Sequence, residues 1–472
     1  MAASETDHGG SGPEPESGPL ARLRRRLVGP LAARIAAFRS DDSDRSVARR
    51  SAGAAFLIRV ASAGILFVSQ ILLARWMGRF EFGIYVAVWA WASVLGPLAP
   101  LGLAYGSQRF IPEYRHRGDL DGLRGFLTGA RLLSLAQGAI AGALLAAVVL
   151  ALGRHVPAHF LVPFLIAAAT LPAFTLSMVQ DGMARSFDWI DLALVPLFIV
   201  QPMLILAVTG GLHVAGGAID AVAVLATTGA AMWLVTLVQA VLMGRRLAGT
   251  VPAGPRRFDV RHWLKTSLPI FVVDGFFLLL FYVDILVLQL YVGPQDVAIY
   301  YAASKTLSLV HFISYAVGAA VAHRFSAYHV AGEREKLKDF VGDAVRWTFW
   351  PTLAFGAVLA ALGLPLLRLF GPGFDAGYPL ILIIMIGLLA RGAVGPAERL
   401  LNMTGHQSLC AVVYATALAV NVILCVVLIP RFGIFGAGWA TAAAVVVESM
   451  MLFVMVKRKL GLYVFVVRLR RS

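Results

Sequence analysis

Residues Leu73–Phe110 read LARWMGRFEFGIYVAVWAWASVLGPLAPLGLAYGSQRF, and residues Leu288–Phe325, 215 positions on, read LQLYVGPQDVAIYYAASKTLSLVHFISYAVGAAVAHRF. Nine positions are identical, among them Leu73/Leu288, Gly78/Gly293, Tyr85/Tyr300 and Arg109/Arg324, and Glu81 is matched by Asp296. After a one-residue slip the likeness continues as Gly-[Asp/Glu]-x-[Asp/Glu]-x-Leu-[Arg/Lys]-x-Phe, at Gly118–Phe126 and again at Gly332–Phe340. An internal repeat of this length, in an apolar chain, predicts two related lobes with a site between them.

The surrounding sequence supports a membrane setting. Of 472 residues, 59% are hydrophobic and 14% are charged, against about a quarter charged in soluble domains. Apolar runs of roughly 20 residues, long enough to cross a bilayer as helices, recur along the chain. The fold class expected is an all-α polytopic membrane protein. About twelve transmembrane helices form two six-helix lobes, related by a parallel pseudo-two-fold repeat because an even number of spans separates the copies. The expected organisation is a cytoplasmic tail (1–54), an N-lobe (55–243), a cytoplasmic linker (244–264), a C-lobe (265–456) and a basic cytoplasmic tail (457–472). Within the first tail, residues 1–19 are rich in Gly, Ser, Pro and Glu and read as disordered. Residues 20–39 form a basic amphipathic segment suited to an anionic leaflet. The repeated Gly-[Asp/Glu] motif reads as a short amphipathic helix under each lobe.

Lys and Arg set the orientation. With both termini inside, 34 of the 41 basic residues fall on cytoplasmic segments and 5 on outer loops. The net charge of +15 is therefore a topology signal, with no nucleic-acid partner implied. Cys410 and Cys425 share one apolar span and give no disulfide, metal or redox pattern. The sequence lacks a Walker loop, a metal cluster and a nucleophile triad, so no cofactor and no enzymatic activity are expected. Asp119-Leu120-Asp121 and its counterpart Glu333-Arg334-Glu335 read as solvated acidic faces.

Polar residues inside apolar spans are the site candidates, since they are costly unless they face protein or water. Tyr301, Ser304, Lys305, Ser308, His311 and Tyr315 recur at helical spacing and form one stripe. Arg59, Ser62, Ser69 and Gln70 give a shorter stripe in the first span, and Asp274 and Asp284 punctuate the seventh. The candidate cavity residues are thus Arg59, Gln70, Asp274, Asp284, Tyr301, Ser304, Lys305, Ser308 and His311. Lys305 and Asp284 lie at similar depth and are expected to pair. Arg59 and Asp274 occupy matched repeat positions and could face each other across the lobes, while Arg59 is also near enough to the inner surface to snorkel. Glu448 is expected to be a satisfied buried pair.

These segments resemble a known family. LARWMGRFEFGIYVAVWAW with LGLAYGSQRF is similar to the first hairpin of polysaccharide transporters of the O-antigen flippase type. VDILVLQLYVGPQDVAIYYAASKTLSLV resembles their seventh and eighth spans, and LIPRFGIFGAGWATA their last hairpin. That family belongs to the multidrug/oligosaccharidyl-lipid/polysaccharide exporter superfamily. The resemblance implies alternating access and a polyprenyl-diphosphate-linked oligosaccharide carried from the inner to the outer leaflet of the cell membrane, for surface polysaccharide biosynthesis. The partners it implies are that lipid-linked oligosaccharide, the lipid bilayer and polysaccharide-assembly proteins. An ion-coupled multidrug exporter of the same superfamily remains an alternative, since Arg59 and Lys305 are balanced by Asp274 and Asp284. A membrane glycosyltransferase or polymerase is more remote, because the outer loops are short.

Overall fold

A computed structural model describes the backbone of residues 44–466, and the side chains of residues 58 and 61–466 except 273 and 274. The segments 1–19 and 20–39 lie outside the described residues, as do residues 467–472 and the side chains of Arg59 and Asp274. Two compact units are present. The unit Met1–Leu57 is helical over its described residues, 44–57, and the unit Ile58–Ser472 contains the membrane helices.

Among the described residues every regular element is helical. In chain order they are α1 (Asp44–Leu98), α2 (Leu103–Arg117), α3 (Leu120–Leu152), α4 (Ala158–Ser186), α5 (Ile190–Val214, with a π turn at Pro196–Val200) and α6 (Ala221–Thr250). After residues 251–259 come α7 (Val260–Leu288), α8 (Pro294–Ser308), α9 (His311–Val330), α10 (Arg334–Phe370), α11 (Tyr378–Val394), α12 (Ala397–Met403), α13 (Gln407–Phe432) and α14 (Ile434–Leu460). Among the described residues ten stretches are long and apolar enough to cross a membrane, or eleven if the two pieces of α7, bent by 50° between Val272 and Gly275, make one span.

The first of these stretches, Ala61–Arg117, has 57 residues. A straight helix of that length would be about 85 Å long, nearly three times an apolar core of about 30 Å. Gly78 breaks it with φ 74 and ψ 170, a combination open to glycine. Its repeat counterpart Gly293 has ordinary φ −71 and precedes Pro294 at the start of α8. The matched glycines therefore make different turns.

The repeated Gly-[Asp/Glu] motif forms no separate amphipathic helix. Gly118 (φ 67) and Gly332 (φ 69) end the preceding helices in the left-handed region. Asp119 then caps α3, accepting from the Gly122 amide at 2.9 Å. No proline interrupts Leu120–Leu152, so the amphipathic turns run straight on into the apolar span. α10 also continues from Arg334 into its apolar span, and it does so despite Pro351 and Pro365 within it. Each of these starts is packed by a later strap. Arg257 N donates to Asp121 O at 2.9 Å and Trp263 Nε1 to Tyr114 OH at 3.0 Å in the first half. In the second, Arg334 Nη2 donates to Leu460 O at 3.3 Å, and Leu462 and Val464 are buried.

Helix neighbours repeat between the halves. α4 packs on α3 and α6, and α5 on α6; α11 packs on α10 and α14, and α13 on α14. Two glycines let the halves touch. A Cβ on Gly83 would overlap the Pro294 carbonyl, and Gly102 (φ 82) lies so close that a Cβ would be 2.6 Å from Ser267 O. Around the first contact a shared core joins Phe82 and Tyr85 to Ile299, Tyr300, Phe370 and Phe374. Desolvating these large side chains is the main force holding the halves together there.

Candidate functional site

Two cavities flank α8. The first, about 310 Å³, opens between α1 on one side and α7–α9 on the other. Its polar lining consists of Gln70, Tyr85, Tyr282, Tyr301, Lys305 and Ser308, and Trp89, Phe67 and Phe312 add aromatic surface. Lys305 Nζ lies 5.1 Å from the centre of the Tyr301 ring, a cation–π distance. Among the described lining residues it is the one formal charge, and among the described residues it has no ion pair. Gln70 Oε1 is buried without a hydrogen-bond partner among the described residues. An unpaired cation beside an unused acceptor gives this cavity a capacity for an anionic, hydroxylated guest.

The second cavity, about 280 Å³, lies within the second half, between α7, α8–α9, α11 and α14. Asp284 lines it and is fully engaged. It accepts from the Tyr300 hydroxyl, from Ile285 N at 2.9 Å and from Thr441 Oγ1 at 3.5 Å. Deeper in, Arg391 on the last turn of α11 donates to Glu448 of α14, and to Glu398 of α12 at 3.2 Å. Ser304, His311 and Tyr315 face this cavity too.

The expected pair of Lys305 with Asp284 does not form among these contacts. The stripe on α8–α9 is the reason. Positions 304 and 305 are about 100° apart on a helix, so the stripe is wide enough to border both cavities. Tyr301, Lys305 and Ser308 meet Gln70 in the first; Ser304 and His311 meet Asp284 in the second. The nine expected site residues are therefore not one constellation, and Arg59 and Asp274 lie outside the described side chains. The pairing of Glu448 is as expected. Its partner Arg391, and Glu398, were missed: Arg391 reads as a loop charge beside Gly395-Pro396. The signal available was its seven-residue spacing to Glu398 in an otherwise apolar stretch.

Comparison with known proteins now decides the family. The polysaccharide biosynthesis protein family matches residues 48–329, more than half the chain and every residue that lines the first cavity. The chain belongs to this family. The MatE family matches residues 269–427, which hold Asp284, Arg391 and Glu398. No curated protein sequence matches the chain. Among solved structures, the lipid II flippase MurJ in an inward closed conformation aligns with TM-score 0.66 at 16% identity, covering 85% of this chain and 87% of that one. An inward-facing multidrug resistance MATE transporter of the MOP superfamily aligns with TM-score 0.65 at 14% identity, covering 84% and 98%. An outward-facing MATE transporter of that superfamily gives 0.64 at 15%, covering 88% and 95%. This family member thus has the fold shared by MurJ and the MATE transporters.

Proposed function

We propose that the chain is a flippase for a polyprenyl-diphosphate-linked oligosaccharide, moving it from the inner to the outer leaflet of the cell membrane by alternating access. The observation that carries this reading is the first cavity: one cation, Lys305, without an ion pair among the described residues and set among aromatic and hydroxyl groups between the two halves of a family member. A diphosphate needs a cation shielded from competing water, and sugar rings pack well on aromatic faces with hydroxyls at their edges. The lipid tail stays in the bilayer. The cavity is at the small end of ligand sites, which run about 300–1,000 Å³, so it accommodates the head-group end while the glycan requires further opening.

In this reading twelve spans make two six-helix lobes, 55–243 and 265–456, related by a parallel pseudo-two-fold axis and joined by the cytoplasmic linker 244–264. The N-terminal tail 1–54 and the basic C-tail 457–472 are also cytoplasmic, as the distribution of 34 basic residues supports. The break at Gly78 makes Ala61–Arg117 two spans, and the bent α7 is one. Arg59, at the inner end of the first span, would be a second cation for the diphosphate, with Asp274 its opposite number. Polysaccharide-assembly proteins would be partners on either side.

A multidrug exporter is the second reading, favoured by the MatE match. It calls for a negatively charged central cavity, and the placement of Asp284 in the other cavity argues against it. In either reading the second cavity, with Asp284 and the Arg391 network, is where a coupling ion would act. The test of substrate class is leaflet-specific labelling of lipid-linked glycan in a strain lacking this transporter and any substitute. Glycan stranded on the inner face supports the flippase. Normal outward movement overturns it.

A further inference from the structure

A third cavity, about 520 Å³, lies away from both of these, between the N-terminal third of α3, the last turn of α6 and the linker residues 251–256. Three of its lining residues, Arg124, Arg131 and Arg256, are cationic, and none is acidic. Arg124 is built into the wall: Nε donates to Pro252 O at 2.6 Å and Nη1 meets Asp121 at 2.7 Å. The linker backbone presses on it at Gly254, where a Cβ would lie 2.5 Å from Nη1. Arg256 has no ion pair among the described residues. Arg131 is the telling group. Its Nε and Nη2 are sealed from solvent, and neither has a hydrogen-bond partner among the described residues.

A guanidinium stays protonated and brings five donors in a rigid fork. Leaving two of them buried and unused is costly, because the charge keeps its desolvation penalty without compensation. A tetrahedral oxyanion satisfies such a fork in two directions at once. Arg131 sits about 17 Å along α3 from its first residue, one or two turns past Arg124, at the membrane end that carries the basic linker.

We infer that this cleft is a phosphate-binding site outside the translocation cavity, taking either the phosphodiester head group of an anionic lipid or a free phosphate. Bound there, the anion ties α3, α6 and the linker together. A lipid reaches the cleft along α3, whose apolar window is largely open to the bilayer.

The test uses the purified full chain in mild detergent, with melting temperature and native mass spectrometry as readouts. Phosphatidylglycerol, phosphatidylcholine and inorganic phosphate are titrated separately. Phosphatidylglycerol should raise the melting temperature and remain bound, while phosphatidylcholine should do neither. Stabilisation by inorganic phosphate alone keeps the site and assigns its source as a soluble anion. Arg131→Met should need roughly tenfold more anion for the same shift, yet melt no earlier than wild type when anion-free, because a buried charge has gone. Arg256→Gln, at an exposed position that tolerates change, should weaken binding in the same direction. Arg431→Gln, at an exposed cation outside all three cavities, should leave anion binding unchanged, which excludes a general effect of surface charge. The inference fails if neither anion shifts the melt. It also fails if Arg131→Met melts well below wild type and keeps the same anion dependence, which would make the arginine a structural group.

Discussion

The two cavities beside α8 treat their charged groups in opposite ways. In the second, each described acidic group has a partner: Asp284 has Tyr300, Ile285 N and Thr441, and Glu448 and Glu398 share Arg391. In the first, Lys305 has a ring beneath it and no counter-ion among the described residues. A buried acid with its partners in place fixes the fold and resists change. An open charge is free for a guest. Adjacent residues of one helix, Ser304 and Lys305, fall on opposite sides of that division.

The largest expected effect breaks the closed side. Arg391→Ala strands Glu448, 2% exposed, and Glu398 without their cation. Orphaning one member of a buried pair costs about 3–5 kcal/mol, so thermal unfolding of the purified protein should shift by many degrees. Adding Glu448→Gln and Glu398→Gln to an Arg391→Met background should recover much of the loss. If Lys305→Ala destabilises as strongly as Arg391→Ala, the contrast between the cavities is wrong.

On the open side the effect moves from stability to transport. Lys305→Ala orphans no partner, so its unfolding free energy should stay within about 1 kcal/mol of wild type. Its export should fall by roughly tenfold or more, the scale of one lost charge-assisted contact. Lys305→Glu should abolish export, and Lys305→Arg should keep part of it. Equal glycan export by wild type and Lys305→Glu would remove the cavity from the mechanism.

A smaller effect probes the close contact between the two halves at Gly83. Gly83→Ala places a methyl into the Pro294 carbonyl. Forced overpacking costs about 1–3 kcal/mol. Cysteine accessibility on either side of the membrane should register a shift away from this closed arrangement, and unchanged accessibility would mean the contact does not gate.

The smallest effect lies outside the membrane, at Asp119. The Gly122 amide, and then Arg257, hold its carboxyl below the usual carboxylate range. Because the folded state lowers this group, its contribution is present above the unfolded value near 4. It fades only as pH falls through the lower folded value. Asp119→Ala should cost about 1 kcal/mol, the usual loss of an N-cap, equally at pH 6 and pH 8. A loss that varies across that range would point to another group.

The all-helical membrane fold was legible because it rests on features that sequence displays directly: long apolar runs and a duplicated hairpin. Gly78 and Gly293 mark matched positions in both copies, although they make different turns and only Gly78 takes a positive φ. The site was half legible. Helical spacing put Tyr301, Lys305 and Ser308 on one face and met Gln70 from α1. The same spacing cannot say that a stripe is wide enough to border two cavities, so Asp284 was matched to the wrong partner. Arg391 stayed hidden because a cation at a helix end looks the same whether it meets water or Glu448. Only packing of α11 on α14 distinguishes them.

The most direct test is flipping in proteoliposomes that contain the purified chain and a fluorescent polyprenyl-diphosphate oligosaccharide, followed by leaflet-specific quenching. The account predicts that wild type equilibrates the lipid across the bilayer, Lys305→Arg does so more slowly, and Lys305→Ala at equal folded yield hardly at all. Flipping by Lys305→Ala at the wild-type rate would contradict it.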